Sequence, residues 1–123
     1  MAAPNLIGAT TINGKTTGAN LTTTSETVVL NNAASSGKAL KVNTLIISNS
    51  SNSAITANVY YHTAASLGGT SYAIIGGASI PGNTSLTVTD KTIQIYLEED
   101  TSLGASCGVA NYLNVIVSYE DIS

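Results

Sequence analysis

The chain has 123 residues, of which 43% are hydrophobic and only 9% are charged, and its formal net charge is −3 at pH 7. This apolar content excludes a chain kept disordered by charge repulsion, and the length fits one domain. Acidic residues outnumber Lys and Arg seven to four, so the sequence lacks the basic surface typical of nucleic-acid binding. It also has no run of 18 apolar residues, and we therefore expect no nucleic-acid partner and no membrane-spanning segment.

The types of polar residue indicate the fold class. Thr, Ser and Asn dominate, whereas Glu and Lys, which build most surface helices, number only four each. Thr, Ser and Asn compete with helical hydrogen bonds and favour strands and turns. The single cysteine cannot form an internal disulfide, and the first residues lack the pattern of a secretory signal, which fits synthesis in a reducing cytoplasm. We expect an all-β protein.

The first half of the chain is predicted to contain an N-terminal arm and three strands. Residues 1–23 hold few apolar residues and are predicted to form an extended arm or edge strand, and residues 24–123 a separate sandwich domain. Strands are expected at 24–30, 39–49 and 54–62. In the second of these, Leu40, Val42 and Ile46 are assigned to one face and Leu45 and Ile47 to the other. The turn at 50–53 predicts that the last two strands form a hairpin.

The second half predicts five more strands, at 71–78, 84–89, 92–97, 103–109 and 111–120. In the last strand, Leu113, Val115, Val117 and Tyr119 on one face alternate with Tyr112, Asn114, Ile116 and Ser118 on the other. Short strands separated by frequent turn signals are typical of β-sandwiches and jelly rolls. We therefore predict a single-domain antiparallel β-sandwich, jelly-roll-like, with an extended N-terminal arm.

Chemical motifs are weak in this sequence. Residues 104–108 match the G-x-S-x-G pattern of a nucleophilic serine, but that pattern requires a following helix and a later histidine. His62, the only histidine, precedes Ser106 and is expected to be an exposed residue at a strand end. Cys107 is expected in the core, and the acidic residues 98–100 are expected to form a solvated turn rather than a calcium site. We predict no enzyme activity and no catalytic, cofactor or metal-binding residues.

The low charge content is the main functional signal. Ordinary soluble domains carry about 25% charged residues, and so uncharged a small domain is expected to be covered by other subunits in its working state. The candidate interface residues are Leu6, Ile7, Ile12, Leu21, Leu45, Ile47, Tyr60 and Tyr112. The alternative role for Tyr60, Tyr61 and Tyr112 is stacking on sugar rings.

Four segments resemble small virion structural proteins of marine tailed phages, in particular T4-like cyanophages. They are MAAPN at 1–5, GKALKVNTLIISN at 37–49, IYLEE at 95–99 and VSYEDIS at 117–123. The chain differs from these proteins at residue 100, where Asp stands in place of their Gly. The resemblance implies a particle component made in many copies in the host bacterial cytoplasm, without catalytic or cofactor residues.

From the resemblance we expect a capsid decoration or cement protein that acts as a small cyclic homo-oligomer, such as a trimer. Its partner would be the major capsid protein or another virion protein. The alternatives are a neck, tail or fibre component and a host-glycan-binding module. The N-terminal arm, residues 2–23, is expected to dock on a neighbour by adding a strand to an exposed edge. Its removal should then leave a folded domain that no longer binds.

Overall fold

Two antiparallel sheets face each other in the computed structural model, which describes residues 5–123. A short 3-10 helix at Leu6–Gly8 precedes nine strands, which are β1 (Ile12–Asn20), β2 (Thr27–Asn32), β3 (Ala39–Asn49), β4 (Ile55–Ala64), β5 (Gly68–Ile80), β6 (Ser85–Thr89), β7 (Ile95–Leu97), β8 (Thr101–Cys107) and β9 (Leu113–Ile122). The described residues contain no α-helix, and no helix among them is long and apolar enough to cross a membrane. The prediction of an all-β antiparallel sandwich is confirmed.

The strand order defines two sheets. Sheet A has the order β1-β9-β3-β6, and β7 pairs with β3 beyond the end of β6, whereas sheet B has the order β2-β8-β4-β5. The inner faces of both sheets supply the core. In β9 the predicted alternation is confirmed, since Leu113, Val115 and Val117 are buried and Ile116 is exposed. Burial of each such side chain stabilises the fold by about 1.5–3 kcal/mol.

A β-bulge in β3 changes which of its residues face the core. The pairing of β3 with β9 shifts between Val42 and Thr44, so Asn43 is an extra residue that reverses the alternation. Leu40 and Val42 before the bulge and Leu45 and Ile47 after it are therefore all buried on the same inner face. The prediction that Leu45 and Ile47 face the opposite side from Leu40 and Val42 is wrong. Regular alternation of side chains between the two faces does not continue across a bulge.

The hairpin predicted between β3 and β4 is also wrong. The two strands belong to different sheets, and residues 50–54 carry the chain across the sandwich. Asn49 fixes this crossing, since its buried amide donates 2.9 Å hydrogen bonds to the backbone oxygens of Ser53 and Ile80 and accepts one from the Ser51 amide. A polar turn between two apolar strands has the same pattern in a hairpin and in such a crossing.

The N-terminal arm is part of the sandwich. Its first four residues lie outside the described part of the chain, but residues 12–20 form the edge strand β1, paired with β9 without a register shift. Leu21, which follows, has no exposed surface and lies in the core. Removal of residues 2–23 would therefore uncover the core, and the expectation that the arm can be deleted without harm to the fold is corrected.

We expect Leu21→Ala to lower the free energy of unfolding by about 2–5 kcal/mol, because it leaves a cavity between the sheets. The control is Ile7→Ala, whose side chain is 96% exposed and whose loss should change stability by at most about 0.5 kcal/mol. Urea denaturation of both variants at low protein concentration measures the two values. Equal costs would contradict the assignment of this segment to the core.

Candidate assembly surface

The outer face of sheet A carries no charged side chain between its two ends and is built mostly from small residues. We define it by the residues that face away from the core on β1, β3, β6 and β9 between the two ends of the sheet, which are Thr16, Gly18, Asn20, Thr44, Ile46, Ser48, Ser85, Thr87, Asn114, Ile116 and Ser118. The first charges at its border are Lys41 and Glu120, which face each other 3.6 Å apart. Ile116, at its centre, is 43% exposed. A protein that covers this surface does not have to strip water from a charged group, but it must offer hydrogen-bond partners to the hydroxyl and amide groups.

Strand β1 ends this face with an open backbone edge. Thr11 and Ser123 exchange two 2.9 Å backbone hydrogen bonds, and the Leu21 amide donates to the Leu113 oxygen. Because antiparallel pairs alternate, the odd-numbered residues of β1 direct their backbone groups toward β9. The even-numbered residues direct theirs outward, and these are Ile12, Gly14, Thr16, Gly18 and Asn20. Within residues 5–123 these outward groups have no strand partner.

The other sheet edges carry features that hinder pairing with another chain. Strand β5 has three register shifts against β4, and β2 has one against β8. On the far side of sheet A, β6 and β7 are only five and three residues long. Bulges and short strands are common protections of exposed edges. Among the described strands, β1 is the edge that is long, regular and open.

A carboxylate shared by two lysines anchors β1. Asp121 on β9 is 6% exposed, and its Oδ2 lies 3.1 Å from both Lys15 Nζ of β1 and Lys38 Nζ of the β2–β3 loop. Burial disfavours the ionised form of Asp121, but the hydrogen bonds and positive charges of the two lysines outweigh it, and the pKa of the carboxyl is lowered. The cluster holds β1 against β9 at the edge of sheet A. The positive charge of Lys15 is neutralised there by Asp121 of the same chain. Sequence analysis missed it because Lys15 and Asp121 are 106 residues apart.

His62 is buried rather than exposed, which corrects the sequence-based expectation. Its Nε2 lies 2.5 Å from Glu26 Oε2, and its Nδ1 lies 3.3 Å from the Gly68 oxygen. The β4–β5 hairpin folds over the ring, and a Cβ on Gly104 would collide with the Glu26 carboxylate. A side chain at residue 104 would therefore require the Glu26 and Leu67 side chains to move. The pair of His62 and Glu26 joins the segment before β2 to sheet B, and the sequence carries no local signal for it.

The residues of the G-x-S-x-G match lie on β8 and at its end. The Ser106 hydroxyl accepts a 3.1 Å hydrogen bond from Asn58. In the β4–β8 ladder Asn58 faces Ser106 and His62 faces Ser102, so Ser106 and His62 are four residues apart, about 13 Å. Cys107 is buried, as expected, and burial raises the pKa of its thiol.

The acidic corner at 98–100 is a turn in which Asp100 is structurally engaged. Asp100 has a φ of +59°, a left-handed conformation that Asn and Asp adopt more readily than most other residues with a side chain. Its carboxylate accepts a 3.0 Å hydrogen bond from the Ala65 amide. Within residues 5–123, no group of three or more His, Cys, Asp or Glu side chains is placed to hold a metal ion.

The eight candidate interface residues fall into separate places. Leu21, Leu45 and Ile47 are fully buried in the core, so they cannot contact another subunit and are removed from the candidate interface. Tyr60 lies on the outer face of sheet B, edge-on to His62 with ring centres 6.5 Å apart. Four candidates remain exposed, and these are Leu6, Ile7, Ile12 and Tyr112. Of these, Ile12 begins β1 and borders the outer face of sheet A.

A polar cleft of about 360 Å³ lies at one end of the outer face of sheet A. Its lining residues all carry hydroxyl or amide groups, and they are Ser48, Asn49, Ser50, Asn83, Thr84 and Ser85. Tyr112 adjoins it, because the Tyr112 backbone oxygen accepts 3.0 Å hydrogen bonds from the amide and hydroxyl of Ser50. The Tyr112 side chain is 44% exposed, and an exposed tyrosine whose backbone adjoins hydroxyl and amide groups is chemically suited to contact a sugar.

Comparison of the chain with protein families, with curated proteins and with solved structures finds no match.

We expect Asp121→Asn to lower the free energy of unfolding at pH 7 by about 1.5 kcal/mol, because two hydrogen bonds to a charged acceptor are weakened. The pKa of Asp121 is lowered in the folded state from its ordinary value of 3.8. Its stabilisation is therefore complete above pH 3.8 and disappears as the pH falls through the lowered folded-state pKa.

Urea denaturation across this pH range measures the effect, and the difference between Asp121→Asn and the unchanged chain should vanish in acid. Glu120→Gln is the matched control on the same strand, since its ion pair with Lys41 is more exposed and should contribute at most about 1 kcal/mol. A cost for Asp121→Asn that does not depend on pH would contradict this role of the carboxylate.

Proposed function

We propose that the chain is a non-enzymatic structural subunit of a tailed-phage particle, and that it binds the shell in many copies as a decoration or cement protein. The major capsid protein is its partner, and the chain acts in the virion after synthesis in the bacterial cytoplasm. The observation that carries this proposal is the outer face of sheet A, which combines small uncharged side chains with an open edge strand.

The energetics of this face favour a lasting contact with protein. A charged side chain at the centre of an interface must lose its hydration, and cores of interfaces are depleted in charge for this reason. On the outer face of sheet A, the ion pair of Lys41 and Glu120 stands only at the border, and Ile46 and Ile116 lie opposite each other near the centre. The face therefore shares the absence of charge with the cores of protein interfaces, and its hydroxyl and amide groups would need hydrogen-bond partners on the other protein.

The strand order gives further support. From β1 to β9 the strands lie in sheets A, B, A, B, B, A, A, B and A. We interpret this arrangement, in which the chain crosses repeatedly between the two sheets, as a jelly roll. Capsid domains and lectins both use that fold. A shared fold is support by analogy only, and it agrees with the resemblance of the four sequence segments to virion structural proteins.

A neck, tail or fibre location is the alternative within the particle. The ratio of this chain to the major capsid protein in purified particles separates the two, since a decoration protein is present in a number comparable to the shell subunits. A much smaller ratio would move the proposal to the neck or tail. Absence of the chain from purified particles would overturn the virion assignment as a whole.

A host-glycan-binding module is the second candidate, and the polar cleft beside Tyr112 is the observation that favours it. A glycan array with the purified chain tests this role. Binding that is lost in Tyr112→Ala and kept in Tyr72→Ala, another exposed tyrosine, would support recognition of sugars. No binding on the array would leave the structural role as the function.

We expect Ile116→Lys to weaken binding of the chain to phage particles that lack it by at least about tenfold, because a lysine would be desolvated at the centre of the contact. Val109→Lys is the matched control, since Val109 is 49% exposed but lies in the β8–β9 loop, away from the outer face of sheet A. Co-sedimentation with particles measures both. Equal binding of the two variants would contradict the assignment of this face.

A further inference from the structure

We propose that two copies of the chain join through antiparallel pairing of their β1 strands, so that two sheets A become one continuous sheet. The proposal deepens the proposed function, since it names a second copy of this chain as the occupant of the open edge. The edge offers five amides and five carbonyls, from Ile12, Gly14, Thr16, Gly18 and Asn20. A regular strand with free groups is a template for another strand.

The spacing of these groups makes the strand complementary to itself. In an antiparallel pair centred on Thr16, Thr16 faces Thr16 of the second copy, Gly14 faces Gly18, and Ile12 faces Asn20. All of these are even-numbered residues, whose backbone groups point outward, so each facing pair exchanges two hydrogen bonds. Five facing pairs thus satisfy all ten free groups. The resulting interface has two-fold symmetry, the commonest symmetry among homo-oligomers.

Strand pairing and charge together favour this register over its neighbours. Moving the two-fold axis to Lys15 leaves both Asn20 residues unpaired and places the two Lys15 side chains directly opposite each other, which is unfavourable. Moving the axis to Thr17 leaves both Ile12 residues unpaired. With the axis at Thr16, Lys15 faces Thr17 of the second copy, and its ammonium stays 3.1 Å from Asp121 of its own chain.

The glycines and threonines of β1 suit this contact. Gly14 and Gly18 add no side chain on the outer face of sheet A, and Thr16 facing Thr16 is a favourable cross-strand pair. The outer faces of the two copies would then form one surface with twice the uncharged area. The two-fold pairing replaces the trimer expected from the resemblance, because each open β1 edge is used once.

Gly14→Pro tests the pairing. The Gly14 amide points away from β9, so proline removes no hydrogen bond of the β1–β9 ladder, and proline is tolerated in edge strands in this orientation. A Cβ added at Gly14 meets no atom within 4 Å. Each two-fold dimer would lose two of its ten hydrogen bonds, and we expect dimerisation to weaken at least about tenfold. Gly14→Ala keeps the amide and is the matched control.

Sedimentation velocity of the full chain over a range of concentrations measures the association without any phage particle. We expect dimers for the unchanged chain and for Gly14→Ala and a shift to protomers for Gly14→Pro, with equal thermal stability of the two variants in dilute solution. Protomers at all concentrations for the unchanged chain, or equal dimerisation of Gly14→Pro and Gly14→Ala, would overturn the proposal. Particle binding is measured in a separate experiment. The chain can therefore form the dimer without binding particles, or bind particles without forming the dimer, and the two results distinguish the two proposals.

A cysteine cross-link tests the register. In the background Cys107→Ser, Thr16→Cys would place two sulfurs on residues whose Cα atoms are about 5.5 Å apart, within the range of a disulfide. We expect the disulfide-linked dimer to form at least about tenfold faster than with Thr87→Cys, an exposed position on β6 at the opposite edge of the same face. Equal rates of cross-linking would overturn the register.

Discussion

The pairing of β9 between β1 and β3 is the contact on which sheet A depends. The C-terminal strand places Leu113, Val115 and Val117 in the core, and it is the strand that holds the N-terminal strand in place. Asp121, near its end, also binds Lys15 of β1 and Lys38 of the β2–β3 loop. The two ends of the chain are therefore joined in one sheet, and the outer face of sheet A is complete only when the last strand has been added.

This arrangement explains how a chain with 9% charged residues can present a surface suited to other subunits. Three of the four lysines are engaged by acidic partners, two with Asp121 and one with Glu120. These ion pairs lie at one end of sheet A, and the rest of its outer face is uncharged, with mostly Thr, Ser and Asn around Ile46 and Ile116. The charges thus fix the position of β1 without interrupting the uncharged surface, and the open edge of β1 continues that surface to a neighbouring chain.

Much of the fold could be predicted from the sequence where the signal is local. The bounds of β3, Ala39–Asn49, match the predicted strand, and the alternation of β9 identified its buried face. The bulge at Asn43 could not be predicted, because one extra residue leaves the apolar pattern of the strand almost unchanged. It nevertheless moves every later side chain of β3 to the opposite face of the sheet. For that reason Leu45 and Ile47 were assigned to a surface although they are in the core. Leu21 was misplaced because its apolar neighbours lie far along the chain.

Long-range pairings account for the remaining differences. The crossing after β3 has the polar turn of a hairpin, and only the pairing of β3 with β9 and of β4 with β8 shows that the strands belong to different sheets. The sequence predicts a surface position for His62, since its partner Glu26 lies 36 residues earlier. No local sequence pattern connects two residues so far apart. For residues 1–23 the sequence predicts an arm or edge strand that docks on a neighbour. Which backbone groups of β1 stay free for such a contact can be determined only from the pairing of β1 with β9.

Amide hydrogen exchange of β1, followed residue by residue by NMR, tests most directly whether the open edge of sheet A is covered by another chain. In dilute solution the amides of Lys15, Thr17 and Ala19 should be protected by β9, and those of Gly14, Thr16 and Gly18 should exchange rapidly. At high protein concentration the second group should become protected as well, while the first group changes little. Rapid exchange of Gly14, Thr16 and Gly18 at every concentration would contradict the account.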